Sequence, residues 1–132
     1  MQTFLPYSDF AKSATVLDTK RLGKQRVECM QLLNALEFGG GWANHPATRM
    51  WRGHEDALKA YMAACIDEWL FRGYKNTMRV PRFNPNYKKP RWLGNREFHL
   101  SHKSNLLRKQ PVHYGMYFRN VPDNLPYIWP EP

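Results

Sequence analysis

The chain has 132 residues, 42% of them hydrophobic and 14% aromatic, which suits one globular core and excludes general disorder. Twenty Lys and Arg against eleven Asp and Glu give a net charge of +9, and the mean hydropathy is −0.70. No run approaches the ~18 apolar residues of a membrane span, so an integral membrane protein is excluded.

The start, Met1 to Pro6, lacks the basic and apolar regions of a secretory leader. Cys29 and Cys65 belong to no CxxC or Cys/His cluster. They are expected as buried reduced thiols in a cytoplasmic protein with no metal and no cofactor.

In chain order, Phe4 to Phe10 reads as an irregular arm, with Ser8 or Asp9 able to cap a short turn through Ala14. Asp18 to Leu36 reads as a helix, with Leu22, Cys29, Met30, Leu33 and Leu36 near a 3.6-residue period. Gly23 weakens it by about 1 kcal/mol relative to Ala, and its missing side chain permits a close approach. Gly39-Gly40-Gly41 ends it. A longer helix is predicted over Ala47 to Arg72, with Met50, His54, Leu58, Tyr61, Cys65 and Trp69 as its stripe and Met62, Ile66 and Leu70 widening it. Gly73 is its stop. Three prolines make Tyr74 to Leu93 a long basic loop. Asn95 caps a third helix, Arg96 to Lys109, ended by Pro111. A short aromatic turn over Tyr114 to Phe118 and an extended tail, Val121 to Pro132, follow. No segment alternates with period two, so the predicted class is all-α, with three main helices.

The charge is concentrated. Arg72 to Lys109 holds eleven basic residues and one acid, Glu97, a balance that points to a polyanion, most often nucleic acid. Three clusters are candidate contacts. Lys20, Arg21, Lys24 and Arg26 lie within seven residues of one helix and can meet phosphates or remain a solvated face. Arg26 lies about 40 degrees from Leu22 on the helical wheel, at the border of the apolar stripe. His45 and Arg49 lie at the Asn44-His45-Pro46 turn, as anion contacts or as ordinary capping residues. Ser101, His102, Asn105 and Arg108 fall at helical spacing beside Lys103 and Lys109, as sugar and phosphate contacts or as an exposed amphipathic face. No Ser–His–Asp arrangement is present.

Leu22-Gly23-Lys24-Gln25-Arg26, the run Asn44 to Gly53, Arg72-Gly73-Tyr74 and the run Ser101 to Tyr114 together resemble the pyrimidine-dimer DNA glycosylase family, the phage endonuclease V type and its bacterial relatives. The resemblance implies a single endonuclease V-like helical domain over residues 1–132 that binds duplex DNA. It also implies base excision and abasic-site cleavage, by a free α-amine that attacks C1′ and a glutamate that handles protons. An α-amine suits this role because such groups titrate near ~8, well below lysine side chains. Carried over, the family's helix arginine falls on Arg26 and its glutamate position on Val27, with Glu28 adjacent and about 100 degrees around the helix. Phage members lose Met1 and expose a small residue. Gln2 is bulky, so Met1 is expected to be retained and to supply the amine. The implied catalytic set is Met1, Glu28 and Arg26, with Gln2, Lys20, Arg21, Lys24, His45, Arg49, His102, Lys103, Asn105, Arg108 and Lys109 on DNA. A non-catalytic DNA or nucleotide binder on the same fold, and a basic structural protein, remain alternatives.

Overall fold

A computed structural model describes all 132 residues. They form six helices and no strand: α1 (Phe10–Val16), α2 (Thr19–Phe38), α3 (Pro46–Arg49), α4 (Glu55–Phe71), α5 (Arg96–Lys109) and α6 (Pro111–Gly115). The three long ones, α2, α4 and α5, have 20, 17 and 14 residues. Their starts follow from short polar side chains that accept the otherwise free first-turn N–H groups. Asp9 accepts from Lys12 N, Asp18 from Arg21 N and Asn95 from Phe98 N. No helix is long and apolar enough to cross a membrane.

The single helix expected over Ala47 to Arg72 is two. Gly53 adopts φ +81°, a left-handed conformation that an L residue reaches only with strain. The chain turns there, so His54 is the N-cap of α4 and not part of its stripe. Gly73 does end α4, at φ +91°. Pro111 both follows α5 and opens α6, where a missing N–H costs nothing.

One cluster of 22 buried hydrophobic residues forms the core. Leu22, Leu58, Tyr61 and Cys65 are fully buried in it, and Leu33 and Trp69 pack at its margin. Leu70 and Met30 are half-exposed, outside the stripes assigned to them. Helices α2 and α4 pack closely because Gly23 leaves room for an indole. A Cβ there would stand 2.9 Å from two ring carbons of Trp69. The Arg26 guanidinium lies 4.3 Å from a Trp69 ring centroid, and Tyr74 stacks on Trp69 at 4.4 Å. Arg72, the C-cap of α4, donates to the carbonyls of Ala14, Thr15 and Leu17 and pairs with Glu68. It thereby closes the free carbonyl end of α1.

Both chain ends are held by side chains of the helices. Gln25, 1% exposed, donates to Gln2 O at 2.8 Å and accepts from Phe4 N at 2.7 Å. His102 Nδ1 accepts from Leu5 N at 2.9 Å, and the Trp51 indole donates to Thr3 Oγ1 at 3.1 Å. At the other end, Ser104 Oγ accepts from Leu125 N, Asn105 donates to Leu125 O, and Arg108 donates to Asp123 O. Arg49 makes a two-pronged ion pair with Glu131 at 2.9 and 3.0 Å.

Candidate active site

The arm, the first half of α2, the α3 cap and the tail line a half-open cavity of about 660 Å³. On α2 the spacing 21, 24–25, 28 sets one residue per turn on the same face. That face supplies Arg21, Lys24, Gln25 and Glu28 to the cavity, with Lys20 beside them. Met1, Gln2 and Phe4 line it from the arm, and His45, Lys109, Gln110, Tyr127 and Trp129 complete it.

Glu28 faces the chain start. Its Oε2 accepts the backbone N–H of Gln2 at 3.1 Å, and Lys24 Nζ lies 3.9 Å from Oε1. Gln2 is only 7% exposed, and its side-chain Nε2 is buried without a hydrogen-bond partner. A carboxylate, the end of the main chain and a row of cations therefore converge on one half-open cavity. Chemically, this arrangement can neutralise phosphate, accept or deliver a proton, and present an amine to a carbon electrophile.

His45 has a defined tautomer. Ala47 N–H donates to its Nδ1 at 3.0 Å, so the proton of the neutral ring sits on Nε2. Burial lowers its pKa, and the charge of the N-terminal ammonium lowers it further. Burial also pushes the Tyr127 phenol up to about 12, so it remains a neutral wall residue.

Eight residues expected at the site share this cavity: Met1, Gln2, Lys20, Arg21, Lys24, Glu28, His45 and Lys109. Six do not. Arg26 points away, because two positions along a helix are about 200 degrees apart. Its guanidinium donates to Asn76 Oδ1 at 2.6 Å and lies on Trp69. Arg26, expected in the catalytic set, therefore lies outside this cavity, whereas Glu28, the acid chosen beside Val27, lines it. Arg49 is spent on Glu131, outside the cavity. His102 and Asn105 are 1% and 3% exposed and hold the arm and the tail, so neither can contact DNA in this conformation. Arg108 is also spent on the tail, and Lys103 lies over the rings of Tyr7 and Phe118. The polar stripe of α5 thus binds the protein's own chain where phosphate contacts were expected.

The residues that sequence reasoning missed are Phe4, Gln25, Gln110, Tyr127 and Trp129. Gln25 had a signal: a neutral amide between Leu22 and Cys29 on the buried face of α2. The tail aromatics had none, because periodicity says nothing about an extended segment.

A family model described as pyrimidine dimer DNA glycosylase matches residues 1–81, from the arm through α4 into the basic loop. No curated protein and no solved structure gives a significant match to the chain.

Proposed function

Because the chain belongs to the pyrimidine dimer DNA glycosylase family, whose name assigns it to DNA repair, we propose that it is a DNA glycosylase and abasic-site lyase acting on damaged or modified bases in duplex DNA. Residues 1–132 act as one endonuclease V-like helical domain. The observation that carries this reading is the Glu28 carboxylate turned onto the chain start, in a cavity that Met1 lines.

In this reading the Met1 amine, deprotonated, forms a bond to C1′ of the target nucleotide. The glycosidic bond breaks, its electron pair leaves with the base, and a proton is delivered to that base. The amine gives up its two protons in turn, one balancing that delivered to the base and the other passing to O4′ as the C1′–O4′ bond breaks, which opens the sugar ring and leaves a Schiff base. Glu28 stabilises the positive charge that develops on the sugar and moves these protons. Lys20, Arg21, Lys24 and Lys109 surround the same space and neutralise the flanking phosphates. Base access requires the nucleotide to leave the stack.

Borohydride reduction tests this directly. The protein should be trapped on duplex DNA carrying abasic sites, and blocking its α-amine should abolish trapping. Duplex affinity should fall steeply as salt rises from about 50 to 200 mM, because bound cations release counterions. Salt-sensitive binding with no trapping would make the protein a non-catalytic binder. Strand cleavage alone does not count, since surface lysines of basic proteins also cleave abasic sites.

A further inference from the structure

The tail forms part of the cavity, and its construction says what that part does. Side chains of α3 and α5 are committed to holding it. Ser104 and Asn105 bracket Leu125, Ser101 Oγ accepts from Ile128 N at 3.3 Å, and Arg49 grips Glu131. Between these anchors the tail presents Tyr127 and Trp129 to the cavity. Their rings are 5.6 Å apart, and Trp129 meets His45 edge-on at 5.9 Å and 89°. Tyr127 is fixed from beneath by His102 at 5.6 Å. Trp129 nevertheless keeps 38% of its surface exposed. A large aromatic ring, held between His45 and Tyr127, thus stays partly open beside four cations.

The ligand chemistry follows. A flat apolar face takes a flat ring, and the cations beside it take phosphate. A base inside a duplex has both faces covered by its neighbours, so only an unstacked one can use Trp129. The cavity volume, about 660 Å³, falls within the range of small-ligand pockets.

We propose that the tail, residues 121–132, is a base-recognition element in which Trp129, positioned by His45, stacks on one unpaired nucleobase while Glu28 and the chain start act on the sugar. The proposal rests on the DNA reading above but separates base recognition from chemistry. Recognition lies in the C-terminal segment, beyond the residues that the family model matches.

The test compares two duplexes of the same sequence, one fully paired and one with a single 2-aminopurine opposite a tetrahydrofuran abasic analogue. Binding is measured by titration for the wild type, Trp129→Leu and Trp129→Phe. The wild type should prefer the duplex with the unpaired base. Trp129→Leu should lose that preference by about 5- to 100-fold, the range of one base–aromatic stack. Its affinity for the paired duplex should stay within about twofold, because phosphate contacts are untouched. Trp129→Phe should keep most of the preference, which also controls for a misplaced tail. In the wild-type complex 2-aminopurine emission should be quenched, and in Trp129→Leu it should not. Equal loss on both duplexes, or an unchanged preference in Trp129→Leu, would overturn the proposal. Trapping on abasic DNA by a wild type that shows no preference for the unpaired base would overturn it and leave the glycosylase reading standing. Absence of any duplex binding would remove both.

Discussion

The backbone nitrogen of Gln2 and the carboxylate of Glu28, 26 residues apart, are joined by a 3.1 Å hydrogen bond. This contact fixes the distance between the chain start and the only acid that lines the cavity. The Gln2 nitrogen that Glu28 holds is separated from the Met1 amine only by the carbonyl carbon and α-carbon of Met1. Glu28→Gln keeps an oxygen able to accept from Gln2 N but removes the charge and the base. Base excision should slow by about 10²- to 10⁴-fold, the scale of a positioned acid–base group. Binding to the paired duplex should be equal or slightly stronger, since a negative charge leaves a phosphate site. A Glu28→Gln protein as active as the wild type would remove Glu28 from the mechanism.

Gln25 should matter although it carries no charge. Its carbonyl accepts from Phe4 N at 2.7 Å and from the Tyr61 hydroxyl at 3.1 Å, and its amide donates to Gln2 O. Gln25→Leu leaves Phe4 N and Gln2 O unpaired, at about 1–3 kcal/mol, while the Tyr61 hydroxyl keeps its bond to Phe4 O. Urea unfolding should show that loss. Borohydride trapping should slow in addition, because the arm that carries the amine loses its anchor. A Gln25→Leu protein with wild-type stability and trapping would show that the arm is placed by other contacts.

These two residues mark what the sequence could tell. The helices were legible because capping side chains and 3.6-residue periods are local, and α5 matches its expected range Arg96 to Lys109. The break at Gly53 was not, since it depends on a backbone angle that a glycine permits but does not compel. At the site, the cations of α2 were visible as a cluster, but not which of them faces inward. That was decided by packing. Trp69 occupies the Gly23 side of the helix and takes Arg26 with it, which leaves Arg21, Lys24 and Glu28 on the cavity face. The stripe on α5 misled for a related reason. Ser101, Asn105 and Arg108 have side chains equally suited to phosphate oxygens and to peptide groups, and the tail supplies peptide groups from the same chain.

Gly23→Ala should destabilise the protein even though it improves helix propensity by about 1 kcal/mol. The added methyl would stand 2.9 Å from two atoms of the Trp69 ring, which is held by its stack on Tyr74 and by a hydrogen bond to Lys75 O. Overpacking of this kind costs about 1–3 kcal/mol. Trp69→Leu in the same chain should relieve the clash, so the two changes together should cost less than their sum. Urea unfolding of the four proteins in the cycle measures this. A Gly23→Ala protein more stable than the wild type would mean that Trp69 moves freely.

Stability should fall on mild acidification, through His102. The ring is 1% exposed, and its Nδ1 accepts from Leu5 N. Burial, with a smaller contribution from the charge of His99, lowers its pKa from 6.5 to about 3. Below pH 6.5 the unfolded chain therefore takes up a proton that the folded one refuses. The unfolded state binds more protons, so stability is complete above 6.5 and is lost as pH falls towards 3. The slope for one such group is about 1 kcal/mol per pH unit. His99, whose pKa burial also lowers, acts in the same direction. Asp18, whose carboxylate is held below its ordinary range by hydrogen bonds from Tyr114 and Arg21 against the opposing effect of its burial, adds its loss only at lower pH. The window between about pH 6.5 and 5 therefore isolates the histidines, where the loss should reach about 2 kcal/mol. His102→Asn can still accept from Leu5 N but cannot titrate. It should be less stable than the wild type at pH 7.5 and should flatten the slope between about pH 6.5 and 5. A wild type equally stable at both ends of that window, or a His102→Asn protein with the full slope, would show that His102 accepts a proton without leaving its place.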